Sequence, residues 1–152
     1  MAWALALAAV GWLGPVPLGA ATTQYVVVDR NTGFAISGFD PVAYFTDSDA
    51  LLGRGNFEYA YAGTVWRFRN EGNRAAFKAD PDIYMPRFGG YDPIGVARGV
   101  GVAGDPRLWL IAGERLYLFY TEEARTAFSA DPDQVTATAD RMWPAVQRTL
   151  SP

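Results

Sequence analysis

The side chains that could do chemistry in this chain are carboxylates and guanidinium groups, because its 152 residues include neither histidine nor cysteine. Ser-His-Asp and Cys-His catalysis, zinc sites with nitrogen or sulfur ligands, and disulfide bonds are therefore excluded. Asp40 and Asp92 could form an acid/base pair of the glycosidase kind, in which two carboxylates stand roughly 5–10 Å apart. Five of the 10 prolines follow an aspartate, and a repeated Asp-Pro pair is a turn and helix-start device. We therefore predict no catalytic residues.

A glycine-rich loop from Arg87 to Gly104 is the second place where binding chemistry could occur. It is long for a connection in a compact domain, and function concentrates in such loops. Arg87 and Arg98 flank its glycines and could hold an anion beside the backbone amides, or they could be solvated surface charges. The segment 99–104 matches the dinucleotide fingerprint, but a strand is predicted after it instead of a helix, so we predict no cofactor. The candidate ligand-binding residues are Arg87, Gly89, Gly90, Tyr91, Asp92 and Arg98.

A repeat inside the chain indicates the elements that position these residues. Residues 65–82 align with residues 116–133 at a constant offset, and half of the aligned positions are identical. Each copy combines two short alternating segments around an Ala-Gly turn, which predicts a hairpin, with a helix that Asn70 or Thr121 would cap. Aromatic residues are frequent, so a packed core is expected. The sequence predicts an α+β fold of two pseudo-repeated ββα units around one aromatic core, preceded by a strand from Tyr25 to Asp29.

Residues 1–21 are predicted to be a signal peptide, followed by a single domain over residues 22–152. Residues 1–21 contain no charged side chain. Their apolar run is followed by a Gly-Pro segment and then by small residues. An uncleaved N-terminal membrane anchor is the alternative, although it needs about 20 apolar residues and the segment contains two prolines. We expect a periplasmic or secreted protein of bacterial type with no membrane contact beyond this segment. The net charge of -3, without a basic block, argues against nucleic acid as a partner.

Several motifs of this chain occur in the order found in a known family. The run Gly38-Phe-Asp-Pro-Val-Ala-Tyr-Phe45 is followed by Val65-Trp-Arg-Phe-Arg-Asn-Glu-Gly-Asn-Arg-Ala-Ala-Phe77, and then by Gly89-Gly-Tyr91 and Trp143-Pro144. Together they resemble the YHS-domain family, in particular its exported single-domain type. The resemblance covers about residues 34–144. It implies a fold similar to the treble-clef metal modules.

The same resemblance implies that the metal ligands of the family are missing here. Metal-type members carry cysteines at positions that correspond to Ala43, Arg69 and Asn73, and many exported members keep one where this chain has Asp92. None of these residues is a soft ligand, and there is no dense acidic cluster around Asp92 for Ca²⁺. We therefore predict a treble-clef-like fold without metal.

The function that these observations favour is a non-catalytic exported binding module. Its ligand would be an unknown small molecule or an envelope protein, bound through the glycine-rich loop at residues 87–104. One alternative is a metal-handling protein of the YHS type, as the resemblance implies. The other is an enzyme that uses the carboxylates of Asp40 and Asp92.

Overall fold

The computed structural model describes residues 25–150 of the chain, and the predicted signal peptide lies outside them. Four strands form two separate antiparallel hairpins: β1 (Arg54–Tyr61), β2 (Thr64–Phe68), β3 (Asp105–Ala112) and β4 (Arg115–Phe119). The helices are α1 (Ala43–Thr46), α2 (Glu71–Ala79), α3 (Pro81–Tyr84), α4 (Pro93–Ala97), α5 (Glu122–Ala130) and α6 (Pro132–Thr149). The predicted α+β class is confirmed.

Both hairpins form because a two-residue turn with positive φ joins two alternating segments. Ala62 and Gly63 make the first turn, with φ of 53° and 78°, and Gly113 and Glu114 make the second, with φ of 53° and 59°. Such turns match the twist of the flanking strands. Each residue pair between β1 and β2 has an equivalent pair between β3 and β4, at the same offset as the sequence repeat. Each ladder is also irregular near the start of its first strand.

Each hairpin is followed by a helix that begins and ends as the sequence predicts. Asn70 accepts a hydrogen bond from the backbone N–H of Asn73 at 2.8 Å, and Thr121 accepts one from Ala124 at 3.2 Å. These caps satisfy backbone donors in the first turn. Both helices end at an Asp-Pro pair, after which α3 or α6 begins, because the residue before proline disfavours the helical conformation.

The predicted strand from Tyr25 to Asp29 is wrong, since only an isolated bridge between Val28 and Ala35 is present. The carboxylate of Asp29 accepts the backbone N–H groups of Asn31 and Thr32, each at 2.9 Å. This side-chain turn reverses the chain and leaves no length for a ladder. The segment is nevertheless fixed, because the N–H of Val27 donates to the carbonyl of Gly89 at 2.8 Å.

The buried side chains form two hydrophobic clusters, not the single aromatic core that the sequence analysis predicts. The first cluster includes Tyr44, Trp66, Phe68, Phe77, Leu116 and Leu118. The second includes Phe88, Val96, Tyr117, Phe119, Phe128 and Val146. There are two clusters because β4 is buried on both of its faces, to which its successive side chains point alternately. Leu116 and Leu118 therefore pack in the first cluster, and Tyr117 and Phe119 in the second.

The segment from Arg87 to Gly104, predicted as one long glycine-rich loop, contains regular structure. It contains a 3-10 turn at Arg87–Gly90 and then α4, and Phe88, Asp92 and Val96 within it are buried. Glycine is needed here for close packing and does not indicate a loop: a Cβ on Gly104 would lie 2.7 Å from the Cβ of Leu118. Among residues 25–150, no helix has the length and apolar character to cross a membrane.

Candidate functional site

Asp40, a predicted alternative catalytic residue, is fully buried at the start of α1. One carboxylate oxygen accepts the backbone N–H of Val42 at 2.8 Å and that of Ala43 at 3.4 Å. The other accepts the backbone N–H of Arg69 at 2.8 Å and the side-chain amide of Asn73 at 2.7 Å. The carboxylate therefore fastens α1 to the segment that joins β2 to α2.

Asp92 has the same place in the second unit. Its side chain is almost fully buried, and one oxygen accepts the backbone N–H groups of Ile94 at 2.8 Å and Gly95 at 3.5 Å. The other oxygen accepts the N–H of Tyr120 at 2.8 Å, just after β4. Both aspartates are thus occupied by backbone donors and join a short helix to the end of a hairpin.

A sequence signal for this shared role was present. Gly38-Phe-Asp-Pro-Val42 and Gly90-Tyr-Asp-Pro-Ile94 are variants of one motif, which extends the repeated Asp-Pro pair by the residues on either side of it. The turn before each has two successive residues with positive φ, which are Ile36 and Ser37 at 42° and 56°, and Phe88 and Gly89 at 54° and 62°. A similar motif and a similar turn therefore precede both hairpins.

Three of the four positions at which the YHS resemblance would put metal ligands surround Asp40, and the fourth is Asp92. The backbone N–H groups of Ala43 and Arg69 and the amide of Asn73 all donate to its carboxylate. These residues do not fit a metal ion, because the groups that face the carboxylate are hydrogen-bond donors and Arg69 is a cation. Across residues 25–150, no three Asp or Glu side chains are grouped so that they could hold a metal ion.

A pocket of about 340 Å³ lies where the start of β4, the segment after α3 and α6 meet. We call it the arginine pocket, because two guanidinium groups enter it from different elements. It is lined by Val26, Asp82, Met85, Pro86, Arg87, Phe88, Gly89, Arg115, Asp140 and Trp143. Its walls thus combine two arginines, two aspartates and an apolar surface.

Arg87 is held in the arginine pocket by two contacts. Its guanidinium forms an ion pair with Asp140 of α6, and its Cζ lies 5.2 Å from the centre of the Phe88 ring. Its Nε is buried and has no hydrogen-bond partner. Arg87 therefore keeps one donor without an acceptor despite its ion pair.

Arg115 is the less compensated of the two cations. Its Nε is also buried without a hydrogen-bond partner, and no ion pair of Arg115 is found within residues 25–150. Burial first, and the positive charge of Arg87 second, lower the pKa of Arg115. Asp82 and Asp140 act in the opposite direction on the same guanidinium. Arg115 therefore has aspartates in its environment but, within residues 25–150, no carboxylate at ion-pair distance.

Two of the predicted ligand-binding residues, Arg87 and Gly89, line this pocket. Gly89 has a φ of +62°, and a Cβ there would lie 1.8 Å from the carbonyl oxygen of Tyr25. Only glycine can therefore occupy this position in the wall of the pocket. Arg115 was missed because it lies far from Arg87 in sequence, at the start of a strand.

The other predicted residues serve packing or lie elsewhere. Gly90 is buried, and its carbonyl accepts the N–H of Gly104 at 3.0 Å. Tyr91 packs against Trp143 with ring centres 5.9 Å apart, and burial raises its pKa. Asp92 forms the helix contacts described above. Arg98 is exposed at the end of α4 and does not line the arginine pocket.

A second groove is larger and more open, but its arginine is already paired. It measures about 580 Å³ and exposes Val28, Leu52 and Tyr120 on its walls. Its Arg107 already pairs with Asp105 at 3.8 Å and lies over the ring of Phe39. The arginine pocket thus brings together two buried Nε donors without a partner, whereas Arg74, whose buried Nε also has none within residues 25–150, lies outside it. No protein-family model, curated protein or solved structure matches this chain.

Proposed function

We propose that this protein is a non-catalytic binding module that holds a small anionic ligand in the arginine pocket. The observation that carries the proposal is the pair of guanidinium groups of Arg87 and Arg115, each with a buried Nε that has no partner. A buried donor without an acceptor costs about 1–3 kcal/mol. A bound carboxylate or phosphate would supply the missing acceptors, because its oxygens match the fork of donors on a guanidinium.

The two arginines also repel each other, which favours an anion between them. Burial is the main cause of the lowered pKa of Arg115, and the charge of Arg87 adds to this effect. Asp140 already compensates Arg87 through their ion pair. Asp82 lines the same pocket, but within residues 25–150 Arg115 forms no ion pair with it or with any other carboxylate. A bound anion would supply this direct counter-ion in a partly desolvated place where attraction is stronger than in water.

The first unit of the chain indicates that the fold does not require these arginines. By the correspondence of turns and hairpins, Ala35 stands where the second unit has Arg87, and Thr64 stands where it has Arg115. Ala35 is buried, and the hydroxyl of Thr64 donates to the carbonyl of Gly33 at 3.1 Å. The same local architecture thus forms without either cation, which supports a binding role for both.

The wider setting of the proposal rests on sequence features. The uncharged apolar residues 1–21 support export to the periplasm or beyond, and the ordered motifs support a YHS-type fold that has lost its metal ligands. The buried and saturated carboxylates of Asp40 and Asp92 favour a binding role over catalysis, because neither oxygen pair is free to exchange a proton with a substrate.

Calorimetric titration with 4-methylpentanoate and with inorganic phosphate tests the proposal on the mature chain and on two variants. Arg115→Gln should weaken binding of the preferred anion by about tenfold or more, the loss expected for one charge-assisted hydrogen bond. Arg98→Gln removes the same charge outside the pocket and should leave the affinity unchanged. The proposal is refuted if neither anion shows saturable binding, or if Arg115→Gln and Arg98→Gln weaken binding equally.

A further inference from the structure

We infer that the ligand of the arginine pocket is an apolar α-amino acid, bound as its zwitterion. The inference rests on the proposed function and adds a second charge to the ligand. Its basis is that the pocket presents a carboxylate and a guanidinium that form no ion pair within residues 25–150, beside an apolar wall. A simple anion would use only the guanidinium.

The carboxylate is that of Asp82 in the first turn of α3. Asp82 is exposed on the rim of the pocket, and within residues 25–150 no hydrogen bond or ion pair holds its side chain. Asp82 and Arg115 line the same pocket, and the negative charge of Asp82 favours the charged form of Arg115. A ligand with adjacent ammonium and carboxylate groups would offer one group to each of them.

The overall charge of the pocket also favours a zwitterion. Arg87 and Asp140 neutralise each other through their ion pair, so Arg115 and Asp82 are left as one positive and one negative group. A zwitterion matches both without adding net charge. A dianion would face two carboxylates with only one cation unpaired, which is unfavourable.

The apolar wall specifies the remaining part of the ligand. Val26, Met85 and Trp143 line the pocket, and Met85 is almost fully buried. Met85 belongs to the first hydrophobic cluster, and Trp143 packs against the second. An aliphatic or aromatic side chain of the amino acid would cover this surface, and pockets with an apolar lining and few polar groups are typical small-molecule sites.

Three matched compounds test the inference by calorimetry on the mature chain. L-leucine carries both charges, 4-methylpentanoate lacks the amine, and 3-methylbutylamine lacks the carboxylate. We expect L-leucine to bind on the order of tenfold more tightly than either. Asp82→Asn should abolish the advantage of L-leucine over 4-methylpentanoate while it leaves the affinity for 4-methylpentanoate within about twofold.

Asp133→Asn is the matched control, because Asp133 occupies the same position after the proline that begins α6. It should leave the advantage of L-leucine unchanged. If 4-methylpentanoate binds as tightly as L-leucine, or if Asp82→Asn leaves their ratio unchanged, the amino-acid inference is refuted and anion binding stands. If neither carboxylate binds while phosphate does, the inference also fails. If no compound binds, both the inference and the proposed function are refuted.

Discussion

At the scale of single residues, aspartates that precede proline have different roles in this chain. Asp40 and Asp92 are buried, and their carboxylates accept three or more N–H groups each, from their own helix and from the end of a hairpin. Asp80 precedes α3 and is exposed, and its side chain accepts no capping hydrogen bond. The sequence pair Asp-Pro therefore identifies a helix start, but burial decides whether the carboxylate carries stability.

We expect Asp40→Ala and Asp92→Ala each to lower the free energy of unfolding by roughly 1–3 kcal/mol or more, because buried backbone donors lose their acceptors. Asp80→Ala removes the same side chain before a proline and should change stability by less than about 0.5 kcal/mol. Urea denaturation of the three variants measures the difference. Equal losses at Asp40 and Asp80 would contradict the structural role of the buried carboxylate.

At the scale of the elements, each short helix presses one phenylalanine onto its hairpin. Phe77 of α2 lies 5.0 Å from the ring centre of Trp66 and 5.2 Å from that of Phe68. Phe128 of α5 lies 4.6 Å from Tyr117 and 5.2 Å from Phe119. Aromatic pairs at these distances contribute beyond the area that they bury. In each unit one phenylalanine of the helix thus contacts two aromatic rings of the hairpin.

Phe77→Ala and Phe128→Ala should each destabilise the protein by roughly 3–5 kcal/mol, the usual cost of truncating a buried phenylalanine. Tyr120→Ala truncates an aromatic ring that is 63% exposed and serves as the control, with a loss below about 1 kcal/mol. Chemical denaturation followed by tryptophan fluorescence measures all three. A loss below about 1 kcal/mol at either phenylalanine would show that its helix is not anchored in this way.

Local patterns in the sequence were sufficient for the hairpins and the capped helices, because alternation, Ala-Gly turns and Asn70 or Thr121 act over a few residues. The arginine pocket could not be predicted in the same way. Arg87 and Arg115 belong to a turn and a strand that only the tertiary fold brings together. Arg98 is a predicted ligand-binding residue because it is near glycines in sequence, but it is exposed at the end of α4.

At the scale of the whole molecule, Tyr44 connects the two units. Its ring is fully buried and stands edge-on to Trp109 of β3, with ring centres 5.3 Å apart. Its hydroxyl donates to the carbonyl of Pro106 at 2.8 Å. Burial, followed by the negative charges of Asp105 and Asp40, raises the pKa of Tyr44. The ionised phenol is therefore disfavoured in the folded protein.

The raised pKa predicts a loss of stability in alkali. An unfolded tyrosine loses its proton near pH 10, whereas folded Tyr44 keeps it to higher pH, so its contribution is complete below about pH 10 and declines above it. Tyr44→Phe should remove up to about 1.4 kcal/mol per pH unit of that decline. Urea melts between pH 8 and pH 11 measure the slope, with Tyr120→Phe as the control for an exposed ring. An unchanged slope in Tyr44→Phe would contradict the prediction.

The double burial of β4 has a consequence for the order in which the chain can acquire its structure. Leu116 and Leu118 belong to the first cluster, although the hairpin and helix of that cluster end well before them in the chain. During synthesis the N-terminal half therefore emerges with an incomplete apolar surface. The first cluster can be completed only after residue 118 has left the ribosome, because contacts that are distant in sequence form late. The two halves are thus expected to mature together, and neither is a self-sufficient product of translation.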